Sequence, residues 1–147
     1  MSNPSELART ETALSAILDG PAYTGPQRAT DAEEVTAARI DTFGAQSIRF
    51  YIGLNIGTTG EPIPAEQLAE GLAILDRSYA ATTRTEGAGV WRAVPERTLI
   101  VEAIRPNMDG ERDTARHIAR TLAAKLDQEC IGVTFQALAG FECIGAE

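Results

Sequence analysis

Histidine occurs once in this 147-residue chain, tryptophan once and cysteine twice, and each scarcity removes a class of chemistry. With His117 alone, histidine-rich metal sites and paired-histidine relays are excluded. Cys130 and Cys143 are too few for a disulfide framework and are expected to be small, buried strand residues in a reducing compartment. No apolar run approaches membrane-spanning length, and the N-terminus lacks the basic-then-apolar order of a secretion signal, so the expected location is the cytoplasm. Basic residues are also short: 13 against 21 acidic ones give a formal charge of −8. That balance repels nucleic acid and anionic membranes, and suits a basic protein partner or simple solubility.

What is present is ordinary for a soluble domain, with 44% apolar and 23% charged residues. The clearest pattern is the strict alternation over Ser47–Asn55. Ile48, Phe50, Ile52 and Leu54 point to one face, and Arg49, Tyr51 and Asn55 to the other. Ahead of it, residues 1–46 read as an N-terminal helical arm and linker. A capped helix over Ser5–Asp19 with a thin apolar stripe is followed by a Pro/Gly loop and a second short helix over Asp31–Phe43, where Asp31 and Glu34 are spaced as a capping box.

Residues 47–147 read as one α+β domain. After the opening strand and a Gly/Thr/Pro loop, Pro64 starts a helix whose apolar residues Leu68, Leu72, Leu75 and Tyr79 share one side. Threonine-rich Ala81–Glu86 reads as a strand, broken by Gly87-Ala88-Gly89 before Val90-Trp91-Arg92. Thr98–Ile104 reads as a central strand. An amphipathic helix over Glu111–Gln128 follows, then a strand over Cys130–Ala137 and an extra C-terminal strand over Phe141–Ile144. This order is the ferredoxin-like βαββαβ plan, with both helices on one face of an antiparallel sheet and the first and third strands side by side in the middle. The other sheet face is left uncovered, which favours a homo-oligomer, dimer or trimer, or a bound ligand.

Several short stretches carry a resemblance: Phe50-Tyr51-Ile52-Gly53-Leu54, Gly89-Val90-Trp91-Arg92, Pro95-Glu96-Arg97-Thr98-Leu99-Ile100-Val101 and Lys125-Leu126-Asp127-Gln128-Glu129. Over about Ser47–Ile144 the chain resembles a family of small bacterial ferredoxin-like domains of unknown function. More loosely, its layout is similar to signal-transduction proteins of the PII type, which are trimers and sense nucleotides. It lacks the long loop and the basic phosphate-binding cluster that those proteins use. Neither resemblance implies a catalytic residue.

Few residues carry chemistry by spacing. His117, one helical turn after Asp113, reads as a surface histidine flanked by Arg116 and Arg120, and as the only base within reach of a cysteine nucleophile. The loop Asn55–Gly60 places backbone amides ahead of a helix, but it matches no phosphate-binding fingerprint and has no lysine. The richest constellation is the uncovered sheet face. Arg49 and Tyr51 from the first strand are expected to meet Arg84 or Glu86 from the second and Glu102 from the third, with Trp91 at the edge, as a ligand pocket or a self-complementary interface.

Three functions follow as expectations. The first is a non-catalytic oligomer that binds a protein or a small polar ligand to regulate or sequester it. The alternatives are a small cofactor-independent enzyme of the dimeric α+β-barrel kind, using Arg49, Tyr51 and Glu102, and a PII-like nucleotide sensor. None of the three requires a metal or a cofactor.

Overall fold

The computed structural model of the protein describes residues 31–57 and 59–146; the helix expected over Ser5–Asp19 lies outside them. The elements run α1 (Asp31–Phe43), β1 (Ala45–Gly53), α2 (Ala65–Ser78), β2 (Thr83–Trp91), β3 (Val94–Pro106), α3 (Asp109–Lys125) and β4 (Gly132–Leu138). The four strands form one sheet in the order β2-β3-β1-β4, with every neighbouring pair antiparallel. This is the ferredoxin-like α+β arrangement, and β1 and β3 are its two central strands.

The alternation in β1 sets the layering. Ile48, Phe50 and Ile52 are fully buried and pack with Leu99, Val101 and Ala103 of β3 against Leu68, Leu72 and Leu75 of α2 and Ala115, Ile118, Ala119 and Leu122 of α3. Both helices therefore cover the same face, because each carries its apolar residues at helical spacing on a single side. Gly71 lets α2 come close to the end of α3: a Cβ there would lie 2.7 Å from Leu126 Cδ2. Gln46, also buried, ties the core edge to the β3–α3 connection. Its Nε2 donates to the Pro106 carbonyl at 2.8 Å, and its Oε1 accepts from Arg112 Nε at 3.1 Å. A buried amide satisfied at both ends fixes that connection more firmly than apolar packing alone. Tyr79 also reaches this core. Its ring centroid lies 6.0 Å from that of Phe50, and burial pushes its hydroxyl pKa up to about 12.

Three expectations are corrected. Gly87-Ala88-Gly89 does not break the second strand; β2 runs through it in regular register, Gly87 opposite Thr98 and Gly89 opposite Glu96. Gly89 serves close approach instead, since a Cβ there would sit 2.7 Å from Thr98 Oγ1. The break falls at Arg92-Ala93, a two-residue hairpin turn whose members both take positive φ, 49° and 63°, as a primed turn between twisted strands demands. The extra C-terminal strand over Phe141–Ile144 is absent. Those residues form no ladder, and Ile144 is 85% exposed, because the short alternation lies between Gly140 and Gly145 and meets no strand edge. Cys130 and Cys143 are both exposed and lie outside the strands, one before β4 and one in this C-terminal stretch.

Among the described residues, no helix is long and apolar enough to cross a membrane.

Candidate functional site

Cross-strand partners share a face, so the register assigns each expected site residue. Arg49 is directly opposite Glu102, and Thr83 opposite Glu102 on its other side, placing Arg49, Tyr51, Glu102 and, by alternation along β2, Trp91 on the face away from α2 and α3. Arg84 is opposite Val101 and Glu86 opposite Leu99, both core residues. The expected meeting of Arg84 or Glu86 with Arg49 is therefore corrected: these two sit on the helix-covered face, where Arg84 pairs with Asp76 of α2 and Glu86 with Arg97 at 2.7 Å. With a side-chain period of two, an even-numbered residue of β2 cannot join the odd-numbered ones.

The open face carries two separate concavities. One, of about 820 Å³, lies between α1 and the sheet and is lined by Ser47, Arg49, Glu102 and Ile104 with Ile40 of α1. Its polar groups are matched to one another. Arg49 Nε donates to Glu102 Oε2 at 2.6 Å, and Ser47 Oγ donates to the same oxygen at 2.6 Å. The Ser47 hydroxyl and the Arg49 guanidinium together hold the Glu102 carboxyl below its ordinary value of 4.5. A depressed folded-state pKa contributes stability that is present above the unfolded value and lost as pH falls through the folded one. The Glu102 carboxyl carbon is accordingly expected to titrate below 4.5 by NMR, and Ser47→Ala to move that midpoint upward. An unchanged midpoint in the variant means that the hydroxyl does not hold the carboxylate.

The other concavity, about 510 Å³, opens at the sheet end where β1 and β2 finish and β3 and β4 begin. Tyr51, Trp91, Glu96 and Thr98 stand on it, with Arg92 and Glu129 at its rim. Tyr51 and Trp91 thus belong to this cleft, and Arg49 and Glu102 to the groove. The Tyr51 hydroxyl lies 3.4 Å from Thr134 Oγ1 on β4. Glu96 differs from the other carboxylates: it is half-buried, and among the described residues its side chain has neither a hydrogen bond nor an ion pair. It lies over Gly53, where an added Cβ would be 2.5 Å from its Oε1. The missing side chain at that position makes the room the carboxylate occupies.

Two loops wall this cleft. Asn55 pairs with Pro62, Ile56 N–H donates to the Glu61 carbonyl at 2.6 Å, Gly60 N–H to the Ile56 carbonyl at 2.8 Å and Gly57 N–H to the Asp127 carbonyl at 3.1 Å. Those amides are committed internally and form no anion cradle. His117 is exposed on α3, and Asp113 pairs with Arg116 at 2.8 Å, not with the histidine. Among the described residues, no group of three or more His, Cys, Asp or Glu side chains is placed to hold a metal ion.

No protein-family model and no curated protein matches the chain. In fold, it is similar to a phage SAM lyase. The structure of that enzyme in complex with S-methyl-5′-thioadenosine superimposes with a TM-score of 0.51 at 19% identity, covering 64% of this chain and 81% of the other. A phage SAM lyase in the apo state covers 66% and 92% with a TM-score of 0.40 at 16% identity. The expectation of a non-catalytic binding module is corrected here: the structure to which this fold is similar, with a TM-score of 0.51, is that of an enzyme.

Glu96, Glu129 and Gly53 escaped the sequence reading. Starting the third strand at Thr98 left Glu96 outside it and without a face; extending the alternation of Thr98, Ile100 and Glu102 back by one step places it on the open face. Glu129 had no comparable signal, since it reaches the cleft from a loop.

Proposed function

We propose that the protein is a small enzyme that cleaves a sulfonium nucleoside of the S-adenosylmethionine kind, with the 510 Å³ cleft as its active site. The observation that carries this reading is the Glu96 carboxylate, without a partner among the described residues, in the cleft that the Trp91 ring also lines. An aromatic face attracts a cation or stacks on a base, and a carboxylate without a cation of its own suits a positively charged substrate. The net charge of −8 draws such a substrate in.

A sulfonium carries its own leaving group, so the task left to the protein is to hold the substrate and move a proton. In a β-elimination the Glu96 carboxylate takes the proton from the carbon next to the one bonded to sulfur. The C–H pair becomes the new C=C bond, the C–S pair goes to sulfur, and a neutral thioether departs. With S-adenosylmethionine, that thioether is S-methyl-5′-thioadenosine. Tyr51 and Trp91 shape the cleft and exclude water from one side of the substrate.

Incubation of the full chain with S-adenosylmethionine is expected to release S-methyl-5′-thioadenosine, followed by chromatography and mass spectrometry. Glu96→Gln should cut kcat by roughly a hundredfold or more, the usual scale for a lost general base. Trp91→Ala should act mainly on KM. No consumption of S-adenosylmethionine by the unaltered protein, or full activity in Glu96→Gln, refutes the reading.

A further inference from the structure

At the rim of the same cleft, Arg92 Nη2 and Glu129 Oε2 form an ion pair of 2.9 Å that joins the β2–β3 hairpin tip to the loop between α3 and β4. The two partners are not equivalent. The Arg92 side chain is 72% exposed and stands on a turn residue at φ 49°, with its guanidinium 6.0 Å from the Trp91 ring centroid. The Glu129 side chain is 33% exposed, and the residue is packed against the β1–α2 loop: a Cβ on Gly57 would meet both its N and its Cγ at 3.2 Å. The carboxylate is thus the fixed member and the guanidinium the one free to swing. An exposed pair of this kind is weak and is readily exchanged for better partners.

Resting on the sulfonium-nucleoside reading, we propose that Arg92 and Glu129 are the recognition site for the amino-acid head group of the substrate. A head group bearing an ammonium and a carboxylate presents the same two charges as the pair itself. On binding, Glu129 takes the ammonium and Arg92 takes the carboxylate, so each side chain trades its neighbour for an opposite charge on the substrate. No buried charge is left behind in either state. Trp91 and Glu96 deal with the nucleoside and the reacting carbon, while Arg92 and Glu129 choose substrates that carry an amino acid. Both are positioning and specificity residues, not participants in proton transfer.

Isothermal titration of the full chain carrying Glu96→Gln, in which S-adenosylmethionine is not consumed during the measurement, tests this with two probes. S-Adenosylmethionine carries the head group, and S-methyl-5′-thioadenosine lacks it. Arg92→Gln and Glu129→Gln are each expected to weaken S-adenosylmethionine binding at least tenfold and to change S-methyl-5′-thioadenosine binding less than twofold, with circular dichroism melts confirming that both variants stay folded. Equal weakening of both probes would show that the pair only shapes the cleft and overturns the proposal, as does an unchanged affinity for S-adenosylmethionine. If the unaltered protein consumes S-adenosylmethionine while both variants bind it as tightly as their parent, head-group recognition fails alone. If the unaltered protein binds neither probe, the sulfonium-nucleoside reading falls and this inference with it.

Discussion

Gly53→Ala is expected to lower turnover of S-adenosylmethionine about a hundredfold while the protein stays folded. The added methyl would arrive 2.5 Å from Glu96 Oε1 and 2.9 Å from its Cδ, inside any real contact distance. What gives way is the far end of a flexible side chain, not backbone, so the carboxylate swings aside at little cost. Gly53 ends β1 opposite Thr98 and does not take the left-handed conformation, so an alanine fits its backbone. Stability is therefore expected to change by less than about 1 kcal/mol, within the range of ordinary strand substitutions. A thermal melt beside a steady-state assay checks both halves. If Gly53→Ala keeps full activity, the position of Glu96 over Gly53 does not matter to the reaction.

Phe50→Ala should do the reverse. Phe50 is fully buried on the central strand β1, opposite Val101 on one side and Val133 on the other, with the Tyr79 ring against it. Removing a ring from such a site costs about 3–5 kcal/mol through lost burial and the cavity left behind. Against a typical domain stability of about 5–15 kcal/mol that is a large fraction, and urea denaturation should show a clearly lower midpoint. The surviving folded fraction is expected to keep its turnover per molecule, since Phe50 faces the helices and not the cleft. A shift of under about 1 kcal/mol contradicts the placement of Phe50 at the centre of the core.

The layout was legible where one pattern dominated its stretch. Ile48, Phe50 and Ile52 repeat every second residue with no competing signal, and Leu68, Leu72 and Leu75 recur on one helical side, so the central strands and the covering helices could be read from spacing. β2 was harder. Its three residues Gly87-Ala88-Gly89 look like punctuation, yet Gly89 is required by a neighbour on the next strand, Thr98, and not by a turn. Conversely, the real turn is made by Arg92 and Ala93, residue types that give no turn signal because both avoid positive φ when free to choose.

The site was half legible for a related reason. Knowing which face is open requires only alternation, and that placed Arg49, Tyr51, Trp91 and Glu102 together. Dividing that face into a groove around Glu102 and a cleft around Glu96 depends on where α1 and two loops fall, which alternation does not encode. Arg84 and Glu86 were misplaced because a break assumed at Gly87 freed β2 from its register. Once the strand is continuous, their parity sends both to the helices.

The pleat has a consequence for how this protein tolerates change. Along β1 and β3 neighbouring residues serve different masters: Phe50 and Ile52 answer to the helices, Tyr51 and Gly53 to the cleft, and no side chain answers to both. Substitutions that retune the cleft therefore draw on a different set of positions from those that keep the chain folded. Directed variation of Tyr51, Trp91, Thr98 and Glu129 explores substrate choice with the stability reserve nearly intact, whereas the same number of changes at even positions of β1 exhausts it.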